Sequence, residues 1–227
     1  MNRYCRQEIL EFLPKNFQKQ IKNKKLILVG CGGVGSVLAQ TLVRGGFLNL
    51  TIIDNDKVDI TNLNRQAFFE EDLDKHKATS LKKHLLKIDK LAKIKEIINL
   101  INKDNIDEIC KDSDLIIDAT DDFKTRKLIN SYCEKNKKDW IYNGAIKTQV
   151  VSCIFKGKDK LFEKIFPNNI KEEKAIDVGI LPSTTSMAAS LGFNQTVKYF
   201  IEKPKNKETK IIKLDLWTNK IFEIKVK

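Results

Sequence analysis

Residues 27–46, ILVGCGGVGSVLAQTLVRGG, constrain the fold more than any other stretch of the chain. An apolar run reads as a buried strand, the glycines as a tight turn, and the remainder as a helix. Gly30, Gly32 and Gly35 fit the spacing G-x-G-x-x-G. In that pattern the first glycine allows the turn, the second lets a phosphate approach the backbone, and the third lets helix pack on strand. The helix N-terminus then offers free N–H groups to anionic oxygens. Asp54 ends the second predicted strand, 19 residues beyond Gly35, where a carboxylate can bind ribose hydroxyls. A ribose-phosphate ligand is therefore expected. The turn alone does not choose between NAD and ATP.

The rest of the chain extends the same alternation. Strands are predicted at 25–30, 49–54, 93–101, 114–120, 140–146 and 149–155, and helices at 36–45, 75–88, 104–111, 123–137 and 184–202. In 75–88, Ala78, Leu81, Leu85 and Ile88 share one face; in 123–137, Leu128, Ile129 and Cys133 point inward. Such an order predicts an α/β fold, a Rossmann-like, doubly wound and mostly parallel sheet. The last residues, KIIKLDLWTNKIFEIKVK, read as a C-terminal antiparallel hairpin turning at Thr218-Asn219. With no linker or repeat, residues 1–227 are expected to form a single domain, with residues 1–22 as an N-terminal helical arm.

Composition excludes several classes. Hydrophobic residues make up 41% and charged residues 32%, as in a soluble globular chain. The apolar runs fall far short of the ~20 residues of a membrane span, and MNRYCRQEIL has no apolar stretch of a signal peptide. The five cysteines, at 5, 31, 110, 133 and 153, include no Cys-x-x-Cys pair, so a zinc knuckle or redox pair is not expected. Reduced thiols and a cytoplasmic location are. The net charge of +12 comes mostly from dispersed lysine. No arginine–aromatic cluster marks a reader of bases, so an acidic protein partner is favoured over nucleic acid.

After Asp54 comes NDKVDITNLNRQAFF. A dehydrogenase has no use for Asn62, Asn64, Arg65 and Gln66 there, whereas a triphosphate does: arginine pairs phosphate oxygens bidentately and amides donate further bonds. Lys77, at the start of a helix, has the charge and reach for a phosphate, although a solvated lysine would look the same. Asp121 and Asp122 end the fourth strand, at the edge where open α/β sheets bind ligands. A carboxylate there suits Mg²⁺ on phosphates, or an N-cap for the next helix; each aspartate has one of these roles available. His76 and His84 read as helix-surface residues.

GCGGVGS, IIDND, DITNLNRQ, HKA and DATDDFKTR, with RYCRQ at the N-terminus, resemble the ThiF/MoeB/HesA family, relatives of the ubiquitin-activating enzymes. The resemblance runs from Arg3 to the late helix, and NLNRQ is its most specific element. It implies adenylation of the C-terminal glycine of a small ubiquitin-like sulfur carrier ending in Gly-Gly, using ATP and Mg²⁺, for molybdopterin or thiamine synthesis. It implies that Gly30, Gly32, Gly33 and Gly35 lie under the nucleotide and that Asp54 binds ribose. By the same resemblance Asn62, Arg65, Gln66 and Lys77 hold phosphates and Asp121 coordinates Mg²⁺. Arg6 would reach across a homodimer interface to the partner's triphosphate. The carrier's carboxylate is already ionised at neutral pH, so no general base is needed.

The sequence departs from the family pattern twice. Many relatives carry two Cys-x-x-Cys pairs that bind zinc, the first before a Leu-Phe-Pro-like stretch. In LFEKIFP (161–167), Leu161 and Lys164 stand where those cysteines would be, and no cysteine follows Cys153, so zinc is not expected. The crossover segment EEKAIDV (172–178) lacks the cysteine of relatives that form a thioester or persulfide, so the chain is expected to stop at the acyl-adenylate. Cys31 has a helix N-terminus beside it but is read as packing. Three alternatives stand beside the main reading: the same chemistry on a peptide or tRNA, an NAD-dependent dehydrogenase, and a silent scaffold that binds nucleotide and carrier.

Overall fold

The computed structural model describes residues 2–167, 175–202 and 209–226. Eight strands form one sheet: β1 (Lys25–Val29), β2 (Asn49–Ile53), β3 (Lys93–Ile97), β4 (Leu115–Asp118), β5 (Trp140–Ile146), β6 (Gln149–Phe155), β7 (Thr209–Asp215) and β8 (Lys220–Val226). Their spatial order is β3-β2-β1-β4-β5-β6-β7-β8. Neighbours from β3 through β5 pair in parallel, with Leu28 of β1 opposite both Ile52 and Ile117. After β3 the chain returns to the other side of β1 to place β4, which makes a topological switch point between β1 and β4.

Near-continuous apolar runs form the central parallel strands β1 and β4 because both faces are covered, whereas the edge strand β3, KIKEI, alternates. Leu26 and Leu28 point to one core, Ile27 and Val29 to the other. The first core is closed by α3 (Gly33–Arg44), α4 (Lys77–Ile88) and α9 (Pro182–Glu202) through Leu38, Leu42, Leu81, Leu85, Ala188 and Ala189. On the second lie α5 (Ile106–Cys110), α6 (Phe123–Asn136) and α7 (Phe162–Ile165), with Ile106, Ile129, Cys133 and Phe162 buried. Of the arm, α1 (Cys5–Glu8) buries no side chain and α2 (Phe17–Ile21) anchors through Phe17 and Ile21. A further short helix, α8, spans Ala175–Val178.

Several boundaries differ from the sequence expectation. α3 begins at Gly33, inside the glycine motif. β3 stops at Ile97, and residues 98–101 turn away to tuck Ile101 into the second core. The antiparallel part begins at β5, before the closing hairpin. Only Lys147 and Thr148 join β5 to β6, and a link that short permits only a hairpin; Lys147 adopts φ 53° to make it. The closing hairpin is β7–β8, with Asn219 at φ 56° in its turn. β8 is the sheet edge, and Ile221, Phe222 and Ile224 are exposed on it. His84 is not a surface residue: it is buried under Phe69, ring centroids 5.1 Å apart, with Nε2 3.1 Å from the buried Asp72 carboxylate. The reason is its place beside Leu81 and Leu85 on the inner side of α4. Among the described residues no helix is long and apolar enough to cross a membrane.

Candidate functional site

A cleft of ≈ 600 Å³ opens at the carboxyl ends of β1, β2, β4 and β5, over the switch point. Its floor is the glycine turn. Gly30 has φ +93°, and a Cβ there would lie 2.7 Å from the Ala119 carbonyl oxygen. Gly35 is buried below the cleft rather than lining it, because a Cβ would come within 1.9 Å of the Gly30 carbonyl oxygen. A Cβ on Gly32, by contrast, would meet nothing nearer than the Gln66 amide at 3.9 Å, so the space above it is open. The first bond within α3 runs from Ser36 N–H to the Gly32 carbonyl, which leaves the N–H groups of Gly33, Val34 and Gly35 ahead of it at the helix start.

Asp54 follows β2 and lines the cleft. Its carboxylate accepts the backbone N–H of Cys31 (2.7 Å) and of Asp56 (2.8 Å), tying the glycine turn to the β2 exit. Burial pushes this carboxyl up from its ordinary value, and those two donors pull it back. Cys31 is fully buried; burial, and next the Asp54 charge, push its thiol well up. That supports packing rather than reactivity for this cysteine.

The loop after β2 folds over the cleft by local capping. Asp59 accepts from Thr61 N–H (2.8 Å), and Asn62 Oδ1 accepts from Asp59 N–H (3.2 Å). The Asn62 side-chain oxygen is thus engaged in the cap of a short 3₁₀ turn, and Asn62 is not among the residues lining the cleft. Arg65 and Gln66 do. Arg65 Nη1 donates to the Thr61 carbonyl (2.7 Å) and to Asn64 Oδ1 (2.9 Å) in its own loop. Gln66 is buried, and its Oε1 has no hydrogen-bond partner among the described residues, an orphan that a ligand donor would satisfy. Ser36 holds this loop to α3, donating to the Gly32 carbonyl (2.7 Å) and accepting Ala67 N–H (2.9 Å). Thr185 of α9 donates to the Arg65 carbonyl (3.3 Å) and packs where a Gly33 side chain would be.

Lys77 is the first residue of α4, nearly buried, with Nζ 2.9 Å from Asp56 Oδ2. Across the cleft, the two aspartates after β4 divide their roles. Asp122 caps α6, accepting Lys124 N–H (3.3 Å) and Thr125 N–H (2.8 Å), while Asp121 is exposed and lines the cleft. Arg6 is not part of its own chain's cleft. It is exposed on α1, and Gln7 beside it bonds the Gly45 carbonyl at the far end of α3. The twelve residues of α3 put that end about 18 Å from the glycine turn.

Asp56, Arg126, Asn143 and Thr185 also line the cleft, with Asp118 buried behind it, and none of these carries an assignment from sequence. Arg126 was visible within DATDDFKTR, eight residues beyond Asp118, but nothing in the spacing distinguished it from a solvated helix cation.

A doubly wound sheet whose switch point carries a glycine turn, a strand-end acid and a cationic loop defines a nucleotide-binding α/β protein. The chain belongs to the ThiF family, whose model matches residues 4–227. It is 31% identical over 147 residues to the sulfur carrier protein ThiS adenylyltransferase of Bacillus subtilis, covering 63% of this chain and 44% of that protein. To the molybdopterin-synthase adenylyltransferase of Haemophilus influenzae it is 26% identical over 230 residues, covering 99% of this chain and 94% of that one. The chain thus spans less than half of the first relative and most of the second. Crystal structures of Escherichia coli MccB share the fold. The one with MccA-N7isoASN has a TM-score of 0.85 at 24% identity, covering 99% of this chain and 71% of that one. The one with ATP has a TM-score of 0.80 at 23% identity, with the same coverage.

Proposed function

We propose that this chain is an ATP-dependent adenylyltransferase that activates the C-terminal glycine of a small ubiquitin-like sulfur carrier, in molybdopterin or thiamine synthesis. One observation carries the reading: Arg65, Gln66 and Lys77 converge with the glycine turn and Asp121 on one cleft at the switch point. Four groups suit the nucleotide: the open space over Gly32, the free N–H groups of α3, the strand-end Asp54 and the orphaned Gln66 oxygen. Mg²⁺ fits Asp121, whose neighbour Asp122 is already used as a cap, and would offset charge on the phosphates.

The reaction joins a carrier carboxylate oxygen to the α-phosphorus of ATP and breaks the bond to pyrophosphate. Charge gathers on the α-phosphate oxygens and on the leaving group. Lys77 and Arg65 stand where that charge develops, each by exchanging a protein partner, Asp56 or the loop oxygens, for phosphate. The contribution of this chain is positioning and electrostatic stabilisation. A polypeptide substrate has a route to the cleft along the antiparallel strands. Val151, which lines the cleft, pairs with Lys213, and Lys213 with the exposed Phe222. A net charge of +12 favours an acidic carrier, chiefly through its association rate. Exposed Ile9, Leu10 and Phe12 beside Arg6 suit a homodimer interface that delivers Arg6 to the partner's cleft.

Carrier-dependent ATP–pyrophosphate exchange tests the reading. Arg65→Ala and Asp121→Ala should each abolish exchange while circular dichroism shows an intact fold. Near-normal exchange in either variant rejects the role assigned to it, and exchange that needs no carrier rejects the substrate.

A further inference from the structure

Arg126 lies on α6, one turn in, and is buried, although nothing in the proposed reaction calls for it. Two of its three guanidinium nitrogens donate to the protein in separate directions, at the wall of the cleft. Nε donates to Asp118 Oδ2 at 3.1 Å. Nη2 donates to the Thr120 carbonyl and, at 3.4 Å, to the Asn143 carbonyl. The group is held between two rings, 5.4 Å from the Phe123 centroid and 4.6 Å from that of Tyr142. Asp118 is fully buried, and its other oxygen accepts Thr120 N–H (3.0 Å) and Thr120 Oγ1–H (2.6 Å).

Thr120 is therefore gripped at all three of its polar atoms, its N–H and hydroxyl by Asp118 and its carbonyl by Arg126. The next residue is Asp121, and the one after it is the N-cap of α6. Asp121 thus sits between two clamped neighbours with its own carboxylate exposed to the cleft. Only two bonds separate the Thr120 carbonyl carbon from Asp121 Cα, so a change in that peptide's tilt re-aims the Asp121 side chain directly.

We infer that Arg126, paired with Asp118, is a positioning residue for Asp121: it fixes the Thr120–Asp121 peptide so that the Asp121 carboxylate faces the metal on the bound triphosphate. The inference rests on the reading of Asp121 as the metal carboxylate. Lysine cannot replace arginine here, because a single ammonium cannot donate along the Asp118, Thr120 and Asn143 directions at once within a slot shaped for a flat group. Partners that orient a metal's ligands are worth about 10- to 100-fold in metal affinity, which sets the expected scale.

The experiment is a Mg²⁺ titration of carrier-dependent ATP–pyrophosphate exchange, with calorimetry of ATP binding in the absence of metal. Three variants are compared with the wild type: Arg126→Lys, Asp121→Asn and Thr120→Val. Thr120→Val removes one bond of the grip and leaves the Arg126–Asp118 pair intact, so it carries the test should Arg126→Lys not fold. The expected result for Arg126→Lys is a half-saturating Mg²⁺ concentration raised by about tenfold or more. Exchange should be largely recovered at high Mg²⁺, with metal-free ATP affinity near wild type. Thr120→Val should move in the same direction by less. A folded Arg126→Lys enzyme with wild-type Mg²⁺ dependence, or one impaired equally at every Mg²⁺ concentration, overturns the inference. If Asp121→Asn shifts the Mg²⁺ dependence and Arg126→Lys does not, the positioning role alone falls. If Asp121→Asn does not shift it, the metal reading of Asp121 falls and takes this inference with it.

Discussion

The Lys77–Asp56 pair makes opposite predictions for its two members. Lys77 Nζ sits 2.9 Å from Asp56 Oδ2, with the lysine side chain 8% exposed and the aspartate 58%. The lysine is therefore nearly desolvated and, among the described residues, is held by Asp56, which faces water. A triphosphate offers it a stronger partner. Lys77→Gln removes one charge-assisted hydrogen bond to phosphate, worth about 1.5–3 kcal/mol, so ATP should bind about 10- to 150-fold more weakly. Asp56→Asn removes the competitor instead. A pair with one exposed member is worth at most about 1 kcal/mol, so ATP should bind up to about fivefold more tightly. Calorimetry with ATP and Mg²⁺ at one pH and salt concentration measures both, and circular dichroism confirms that each variant folds. Wild-type affinity in Lys77→Gln refutes the phosphate role. Weakening in Asp56→Asn as large as in Lys77→Gln refutes the competition and makes Asp56 a nucleotide contact in its own right.

Gly35→Ala places a methyl group 1.9 Å from the Gly30 carbonyl oxygen, a backbone atom that cannot give way cheaply, so it should cost about 3 kcal/mol and show as a large fall in the thermal unfolding midpoint; a midpoint within a degree or two of wild type contradicts the packing role. Arg6→Ala and Asp121→Ala enzymes, each inactive alone, should regain exchange activity when mixed and allowed to swap subunits, because some heterodimers carry one intact site; an active, strictly monomeric enzyme in sedimentation analysis rules this out. Burial raises the thiols of Cys31, Cys110, Cys133 and Cys153, the second of them to about 12, so at neutral pH the native protein should take up iodoacetamide first at the half-buried Cys5; rapid labelling of Cys31 read by mass spectrometry would show the glycine turn to be open.

The parallel half of the fold was legible because two signals coincide in it. Buried strands such as Leu115–Ile117 are unbroken apolar runs, and helices such as α4 carry a 3.6-residue stripe, so type and order follow without any knowledge of pairing. The glycine turn was legible because its chemistry is local: Gly30 and Gly35 answer to backbone atoms a few residues away or one strand over. Asn62 shows where such reading stops. Its side-chain oxygen accepts the Asp59 N–H three residues earlier, and its place in that short turn sets it off the cleft wall, which spacing in the sequence does not reveal. His84 was misplaced because one polar residue on an otherwise apolar helix face looks solvated until Asp72, twelve residues earlier, is folded beneath it. Arg126 and Asn143 were not legible at all, since their partners come from different strands and a buried polar network leaves no periodic trace.

That network explains how the two halves of the sheet meet. β5 is the last parallel strand and the first antiparallel one, so the wall of the cleft and the strands leading out to β8 share it. At its middle, Asn143 is buried; its amide N–H bonds the Asp118 carbonyl of β4 (3.1 Å) and its oxygen accepts Ser152 Oγ of β6 (2.8 Å). On the helix side, Gly192 of α9 comes so near that a Cβ there would lie 2.8 Å from the same oxygen. An apolar side chain at 143 would fill the space but remove one tie between the neighbouring strands and leave the Ser152 hydroxyl without this bond. An amide bonded to both neighbouring strands favours the register that keeps these two bonds. Because Arg126 also bonds the Asn143 carbonyl, the seam that joins the antiparallel strands and the peptide that carries Asp121 are parts of one bonded unit. A displacement at the antiparallel side therefore has a direct mechanical path to Asp121. The two halves of the site are in this way set by the same few buried polar atoms.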